Sequence, residues 1–299
     1  MDVAVVGSVA LDTVETPWGK AEECLGGAAT YFSFAASLYA RVGMIGVIGE
    51  DFPPEHVALL RRRGVDVEGL EQVPGGRTFR WTGRYHRDVN QRDTLDTQLN
   101  VFETFRPQLP ETARKAPFLF LANIHPALQL DVLNQSEASF VGLDTMDLWI
   151  RTTSDLLRSV LERVHVLIIN DAEARLLTGE ESLIKAARAV CELGPQTVII
   201  KKGEHGCVLV QEDEIFLLPA YPLENVVDPT GAGDSFAGGF MGFLARKGIV
   251  DFPTLCHGAA YGTVTASFTC EAFGPARLVE IGIQDIERRY QQLRAMTQL

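Results

Sequence analysis

The sequence predicts a doubly wound α/β fold, a mostly parallel sheet with helices on both faces. Three observations carry this expectation. Short runs rich in β-branched residues recur along the chain, and they are continuous rather than alternating, as strands buried on both faces require. Between them lie segments with apolar residues at three- and four-residue spacing, the helical period. The two kinds alternate, and such alternation implies crossover connections and a parallel sheet. The 299 residues suit one large domain, residues 1–299, able to bury a sizeable core.

The strand candidates are Val3–Val6, Met44–Ile48, Phe118–Ala122, Phe140–Leu143, Val166–Ile169 and Thr197–Ile200. The helix candidates are Thr30–Tyr39, Glu55–Arg63, Ala127–Asn134, Ser154–Arg163, Ser182–Glu192 and Ser235–Lys247. Ligands of such sheets bind beyond the carboxyl ends of the strands, so motifs that follow a strand carry the most weight. Two segments break the rhythm. Val14–Glu23 is short and polar, without helical period. Thr78–Val101 reads as two strands, with Phe79, Trp81, Gly83 and Tyr85 on one face and Arg80, Thr82, Arg84 and His86 on the other. Inserted segments at about 13–25 and 78–101 fit a small β-sheet lid that excludes water from a reaction. The competing reading is a surface hairpin.

Composition narrows the function. With 27 Lys and Arg against 39 Asp and Glu, the net charge is −12. An acidic surface repels phosphate backbones, which speaks against nucleic acid as a partner. The five cysteines are scattered without a CxxC pair, as expected of free thiols in a reducing compartment. The N-terminal stretch lacks a basic region and turns polar by Asp12, unlike a signal peptide. No apolar run reaches the length of a membrane span. A cytoplasmic protein without a membrane partner is the expectation.

The stretch "DPTGAGDSFAGGF", Asp228 to Phe240, carries the chemistry. It follows an extended segment, Leu217–Val227, and opens a helix. A helix N-terminus offers unpaired amides and a positive dipole end, and Gly231, Ala232 and Gly233 lack the bulk to keep an anion away. Capping explains Asp234 alone. It does not explain an acid set against an anion-ready turn. That pairing suits proton removal from a nucleophile while amides hold a transferring group. The helix terminus should keep the Asp234 pKa low, making it a weak base, which phosphoryl transfer tolerates.

This stretch resembles the C-terminal signature of the ribokinase, or phosphofructokinase-B, family of sugar and nucleoside kinases. "GGAATYFSFAASLYARVGMIGVIGEDFP", residues 26–53, resembles the family's other signature. The resemblance spans Val3 to about Gly274. It implies Asp234 as catalytic base, with the Gly231, Ala232 and Gly233 amides as anion hole. It implies Gly26, Gly27, Asp12 and Asn123 as substrate contacts, with Thr30 standing where the family's ribose kinases carry Asn. Asn170 and Glu173, at i and i+3 after a strand, are a capping pair by spacing alone. By resemblance they organise Mg²⁺ and the phosphates. Lys201, Gly203 and Gly206, hairpin-like in "VIIKKGEHGCVLV", border the nucleotide by resemblance, with Thr230 nearby and residues 257–268 as an adenine wall. Asp228 and Thr230 match two K⁺ positions of some members. Asp144 and Asp147 are a candidate metal pair, against the commoner reading of two carboxylates in a loop as caps or solvated side chains. Some family lids pair into homodimers.

The resemblance implies ATP and Mg²⁺, with K⁺ in some members, and a small-molecule sugar or polyol as acceptor. A ribonucleoside is the alternative, with Phe32, Trp81 and Tyr85 as aromatic contacts for a base. A nicotinamide oxidoreductase is disfavoured because no GxGxxG follows a strand, and a P-loop ATPase because Walker A is missing. A non-catalytic sugar or nucleotide sensor remains the reading from a different class, opposed by the retained Asp234.

Overall fold

In the computed structural model, which describes residues 1–298, the chain begins with β1 (Val3–Val6), β2 (Ala10–Thr16), β3 (Gly19–Gly26), α1 (Ala28–Ala36), β4 (Val42–Gly49), α2 (Pro54–Arg62) and β5 (Leu70–Val73). It continues through β6 (Phe79–Tyr85), β7 (Arg92–Gln98), α3 (Glu111–Arg114), β8 (Phe118–Leu121), α4 (Pro126–Gln135), β9 (Phe140–Leu143), α5 (Asp147–Thr152) and α6 (Ser154–Leu161). Then follow β10 (Val166–Asn170), α7 (Asp171–Thr178), α8 (Leu183–Cys191), β11 (Thr197–Lys201), β12 (Cys207–Gln211) and β13 (Glu214–Leu218). The last helices are α9 (Ala232–Lys247), α10 (Phe252–Thr269), α11 (Ala276–Glu280) and α12 (Ile283–Thr297).

Nine strands form the main sheet in the order β13-β12-β11-β10-β9-β8-β1-β4-β5. All neighbours are parallel except the β11–β12 and β12–β13 pairs. The six continuous apolar runs are all strands here. Val3 and Val5 of β1 join one buried cluster, and Ala4 and Val6 join the other. Burial on both faces is why those runs show no alternation. The strand β5 escaped the sequence reading because LEQV is half-buried at the sheet edge and carries no apolar run. The segment Leu217–Val227 proves strand only through Leu218. Pro219 and Pro222 then withdraw two backbone donors, and the chain runs irregularly to the glycine turn.

Helices α1, α9 and α10 pack closely on one face. The glycines inside α9 are explained by that packing: an added Cβ on Gly242 would fall 2.9 Å from the Ala36 Cα, and one on Gly239 would fall 3.0 Å from the Gly262 Cα. Among the described residues, no helix is long and apolar enough to cross a membrane.

A second sheet, β3-β2-β6-β7, stands over one end of the first. Both segments that broke the sequence rhythm enter it. Val14–Glu23 spans the β2–β3 hairpin, as expected of a lid segment. Strands β2 and β6 pair in parallel, with Asp12 opposite Trp81. The two faces of β6 separate as the alternation predicts. Arg80 binds Asp51 at 2.8 Å and Glu23 at 3.1 Å, and Arg84 binds Glu15 at 3.2 Å, whereas Tyr85 turns inward and is buried.

Candidate active site

At one end of the cleft, Asp12 projects from β2 and is only 4% exposed. Its carboxylate accepts the Gly27 N–H, and a methyl group on Gly26 would overlap it. Gly27 has φ +93°, and a Cβ there would fall 2.5 Å from Ser8 O and 2.8 Å from Ala10 N, so no other residue fits this turn without strain. The Gly-Gly pair thus lets α1 begin against β2, with Asp12 at its mouth. Burial raises the Asp12 carboxyl to about 7; the Gly27 bond opposes this, while Asp228 and Asp234 add to it.

At the other end lies the glycine turn. Asp228 is fully buried; one carboxylate oxygen accepts the Thr230 N–H at 2.8 Å and the other the Gly274 N–H at 3.4 Å. These bonds fix the chain entering α9. Gly231 then takes φ +75° as the N-cap. The Ala232 N–H is donated to Pro229 O at 3.1 Å, which removes it from the three-amide set expected from the sequence. The Gly231 and Gly233 amides have no partner within the chain among the described residues. The Lys201 Nζ reaches this turn from β11, 2.9 Å from where a Cβ on Gly233 would sit.

Asp234 occupies the first turn of α9. The helix terminus does not keep its pKa low, as the sequence alone suggests. Desolvation, reinforced by the neighbouring Asp144, raises it to about 7 against the pull of Lys201 and Arg92. The dipole effect is small, on the order of 1 kcal/mol, and loses to desolvation and a like charge in one cleft. Asp234 and Glu173 keep part of their surface open to solvent, while Asp144 is 8% exposed.

Glu173 and Asn170 form a reciprocal capping box: the Glu173 N–H donates to Asn170 Oδ1 at 2.8 Å, and the Asn170 N–H to Glu173 Oε2 at 2.9 Å. The capping reading therefore holds, and it leaves the second Glu173 oxygen free. Burial and Asp144 raise Glu173 to about 7, with Lys201 opposing. Among the described residues, no three His, Cys, Asp or Glu side chains assemble a metal cluster, so a cation here would complete its shell from phosphate oxygens and water. Asp147 is exposed in the first turn of α5, whereas Asp144 is buried.

Gly203 and Gly206 shape the turn between β11 and β12, with φ +54° and +85°. The side chain of Asn90, at the tip of the β6–β7 hairpin, rests on Gly203. Asn123 ends β8 as expected, but its amide is partly engaged: its Oδ1 accepts the Trp149 indole N–H at 2.9 Å, and its Nδ2 lies 3.2 Å from Met146 Sδ. Phe32 is not available to a ligand. It is fully buried and stacked on Phe120 with ring centroids 4.7 Å apart. Thr30 is likewise fully buried.

Two site residues, Tyr31 and Arg92, went unnoticed in the sequence, and Tyr85, expected as an aromatic contact for a base, has a different part. Tyr31 packs its ring against Gly231, and its buried hydroxyl has no partner. Tyr85 accepts a hydrogen bond from Thr230 at 3.3 Å, tying the lid to the turn. Arg92 lies on the lid strand facing the cleft acids. An α-helical count from Gly27 would have found Tyr31, whose N–H bonds to Gly27 O at 3.2 Å.

The raised carboxyls have a consequence for stability. Asp12, Glu173 and Asp234 hold protons in the folded chain at pH values where the unfolded chain has released them. Folding then takes up protons, so their contribution is full below the unfolded values of 3.8 to 4.5 and is lost as pH rises through about 7. The ligand-free protein is expected to melt several degrees lower at pH 8 than at pH 5. Asp12→Asn should flatten the dependence, and a melting temperature that climbs over this range would contradict it.

A family model described as pfkB family carbohydrate kinase matches residues 2–281. The cytidine kinase of Thermococcus kodakarensis is 34% identical over 253 residues, covering 82% of this chain and 89% of that protein. The ribokinase of Mus musculus is 27% identical, covering 81% of each. A ribokinase II structure from E. coli, in complex with ATP and Mg²⁺, superposes with a TM-score of 0.80 at 19% identity, covering 97% of this chain and 99% of that one.

Proposed function

Because this chain belongs to the pfkB family of carbohydrate kinases, we propose that it transfers the γ-phosphoryl group of ATP to a hydroxyl of a ribonucleoside. The observation that carries the reaction type is the opposition of Asp234 to the free Gly231 and Gly233 amides at one helix terminus. Asp234 takes the proton of the acceptor hydroxyl as that oxygen attacks the γ-phosphorus. The bond from phosphorus to the bridging oxygen breaks, and ADP leaves with the bond's electron pair. Gly231 and Gly233 donate to the transferring oxygens, and Lys201 adds positive charge beside them. Ala232 contributes bulkless geometry rather than a donor.

On the nucleotide side, Asn170, Glu173, Gly203, Gly206 and Thr230 border the phosphates. Mg²⁺ would be held through Glu173, by its uncapped oxygen or a water on it, and supplies charge neutralisation between phosphates. The fit rests on that one free carboxylate oxygen and on the local surplus of acid. For K⁺, Asp228 and Thr230 offer a buried carboxylate already committed to two backbone amides.

Asp12, Gly26 and Gly27 form the acceptor end. An ionised Asp only accepts hydrogen bonds, which suits a vicinal diol. The nucleoside reading is favoured over a free sugar or polyol by the register that sets Trp81 beside Asp12 on one face of the lid sheet. That places an aromatic plane next to a hydroxyl acceptor. The relative of highest identity given above acts on a nucleoside; the free-pentose reading draws on the ribokinase relative. Turnover of ATP should be measured across ribonucleosides, pentoses, hexoses and inositols. Cytidine or another nucleoside is expected to give the highest kcat/KM, and Trp81→Ala should raise the nucleoside KM about tenfold, as loss of a stacking partner does. A pentose or polyol that outruns every nucleoside, with Trp81→Ala silent, would overturn the nucleoside assignment and leave the kinase intact.

A further inference from the structure

We infer that Arg92 is a catalytic residue of the lid, delivered to the transferring phosphoryl group when the β6–β7 hairpin docks on the nucleotide turn. The inference rests on the kinase reading above.

Strand register gives Arg92 its direction. It is paired with Tyr85 across β6 and β7, and directly paired residues of antiparallel strands share a face. Tyr85 is buried with its hydroxyl bonded to Thr230 of the glycine turn, so Arg92 faces that turn too. The guanidinium also lies over the Trp81 ring, 5.5 Å from its centroid, on the same inner face. The hairpin tip is seated as well, with Asn90 on Gly203. Two contacts therefore tie the placement of Arg92 to both turns that border the phosphates.

Its partners are as telling. Arg80 and Arg84, on the outer lid face, are each held in an ion pair. Arg92 makes none within 4.0 Å among the described residues, although it is close enough to pull Asp12, Asp144, Glu173 and Asp234 toward ionisation. β7 is exposed along its length, while the Arg92 guanidinium itself lies beside the Tyr85 hydroxyl. Four carboxylates from β2, the end of β9, α7 and α9 surround a cleft that must accept a polyanion. Lys201 belongs to the main sheet and Arg92 to the lid, and both act on the same acids. A planar guanidinium meets two phosphate oxygens at once, and charge spread over the equatorial oxygens of the transition state is what such a group stabilises.

The test compares wild type with Arg92→Met and Arg92→Lys in two assays. In the first, affinity is measured for Mg²⁺ with ADP and with the non-hydrolysable triphosphate AMP-PNP. Arg92→Met should weaken the triphosphate about tenfold and leave ADP within twofold, with Arg92→Lys between. In the second, kcat with the best acceptor should fall about 100-fold or more in Arg92→Met, with the acceptor KM within threefold. Equal affinities of wild type and Arg92→Met for AMP-PNP, or equal losses for both nucleotides, would overturn the assignment, as would a kcat within threefold of wild type. Were wild type to turn over no acceptor, the kinase reading would be at fault, and the affinity assay would still decide Arg92.

Discussion

Asp234→Asn is expected to lower kcat by about 10² to 10⁴-fold, the range for loss of a positioned base, with the KM values for nucleotide and acceptor changed only a few-fold. The substitution keeps the size of the side chain but cannot accept a proton from the acceptor hydroxyl. The amides of Gly231 and Gly233 stay in place, so nucleotide affinity should survive. The pH profile gives a second reading of the same role. With its carboxyl raised to about 7 by desolvation and Asp144, Asp234 is largely protonated on the acid side, and a protonated base is silent. Activity should therefore rise with pH through an acid limb. Asp12 and Glu173, also raised to about 7, share that cleft, so the apparent value belongs to the cluster. Bound cations shift it downward, since Lys201 and Arg92 already act in that direction. A variant with wild-type kcat would remove Asp234 from the reaction.

Much of this site is legible in the sequence because the chemistry is local there. The turn from Asp228 to Asp234 is one continuous stretch, and each of its glycines has a reason visible at short range. Asn170 and Glu173 lie three residues apart on one helix start. Strands buried on both faces announce themselves by composition, which is why the six core strands emerged and the half-buried edge strand β5 did not. What stayed hidden depends on pairing between distant segments. Arg92 meets the cleft only through the register of β6 with β7 and of β2 with β6. Nothing in "RDTLDTQ" sets it apart from six other exposed residues. The pKa of Asp234 was misread for the same reason: the helix terminus is written beside it, whereas Asp144 arrives from another strand 90 residues away. Phe32 stands among the aromatic contacts a base would need, and its place in the sequence does not show whether its ring is free. Its stacking on Phe120 across α1 and β8 is a tertiary fact.

Gly231→Ala should be nearly as damaging as loss of the base, by a route that touches no reacting proton. Gly231 holds φ +75°, where a Cβ costs roughly 1–2 kcal/mol, and the added methyl would also overlap the Tyr31 ring. Tyr31 is itself fully enclosed and cannot swing away cheaply. The chain can relieve the clash only by turning the peptide planes that present the Gly231 and Gly233 amides. A kcat loss of about 100-fold, the measure of one misplaced anion-hole donor, is expected together with a lowered melting temperature. The double variant Gly231→Ala/Tyr31→Ala separates the two causes, since neighbouring residues need not add. Space made by removing the ring should recover part of the lost stability relative to Tyr31→Ala alone. It should not recover kcat, because the left-handed backbone remains disfavoured for Ala whatever surrounds it. Full recovery of turnover in the double variant would mean that the ring, and not the dihedral, sets the amides, and would make Tyr31 the residue that positions the anion hole.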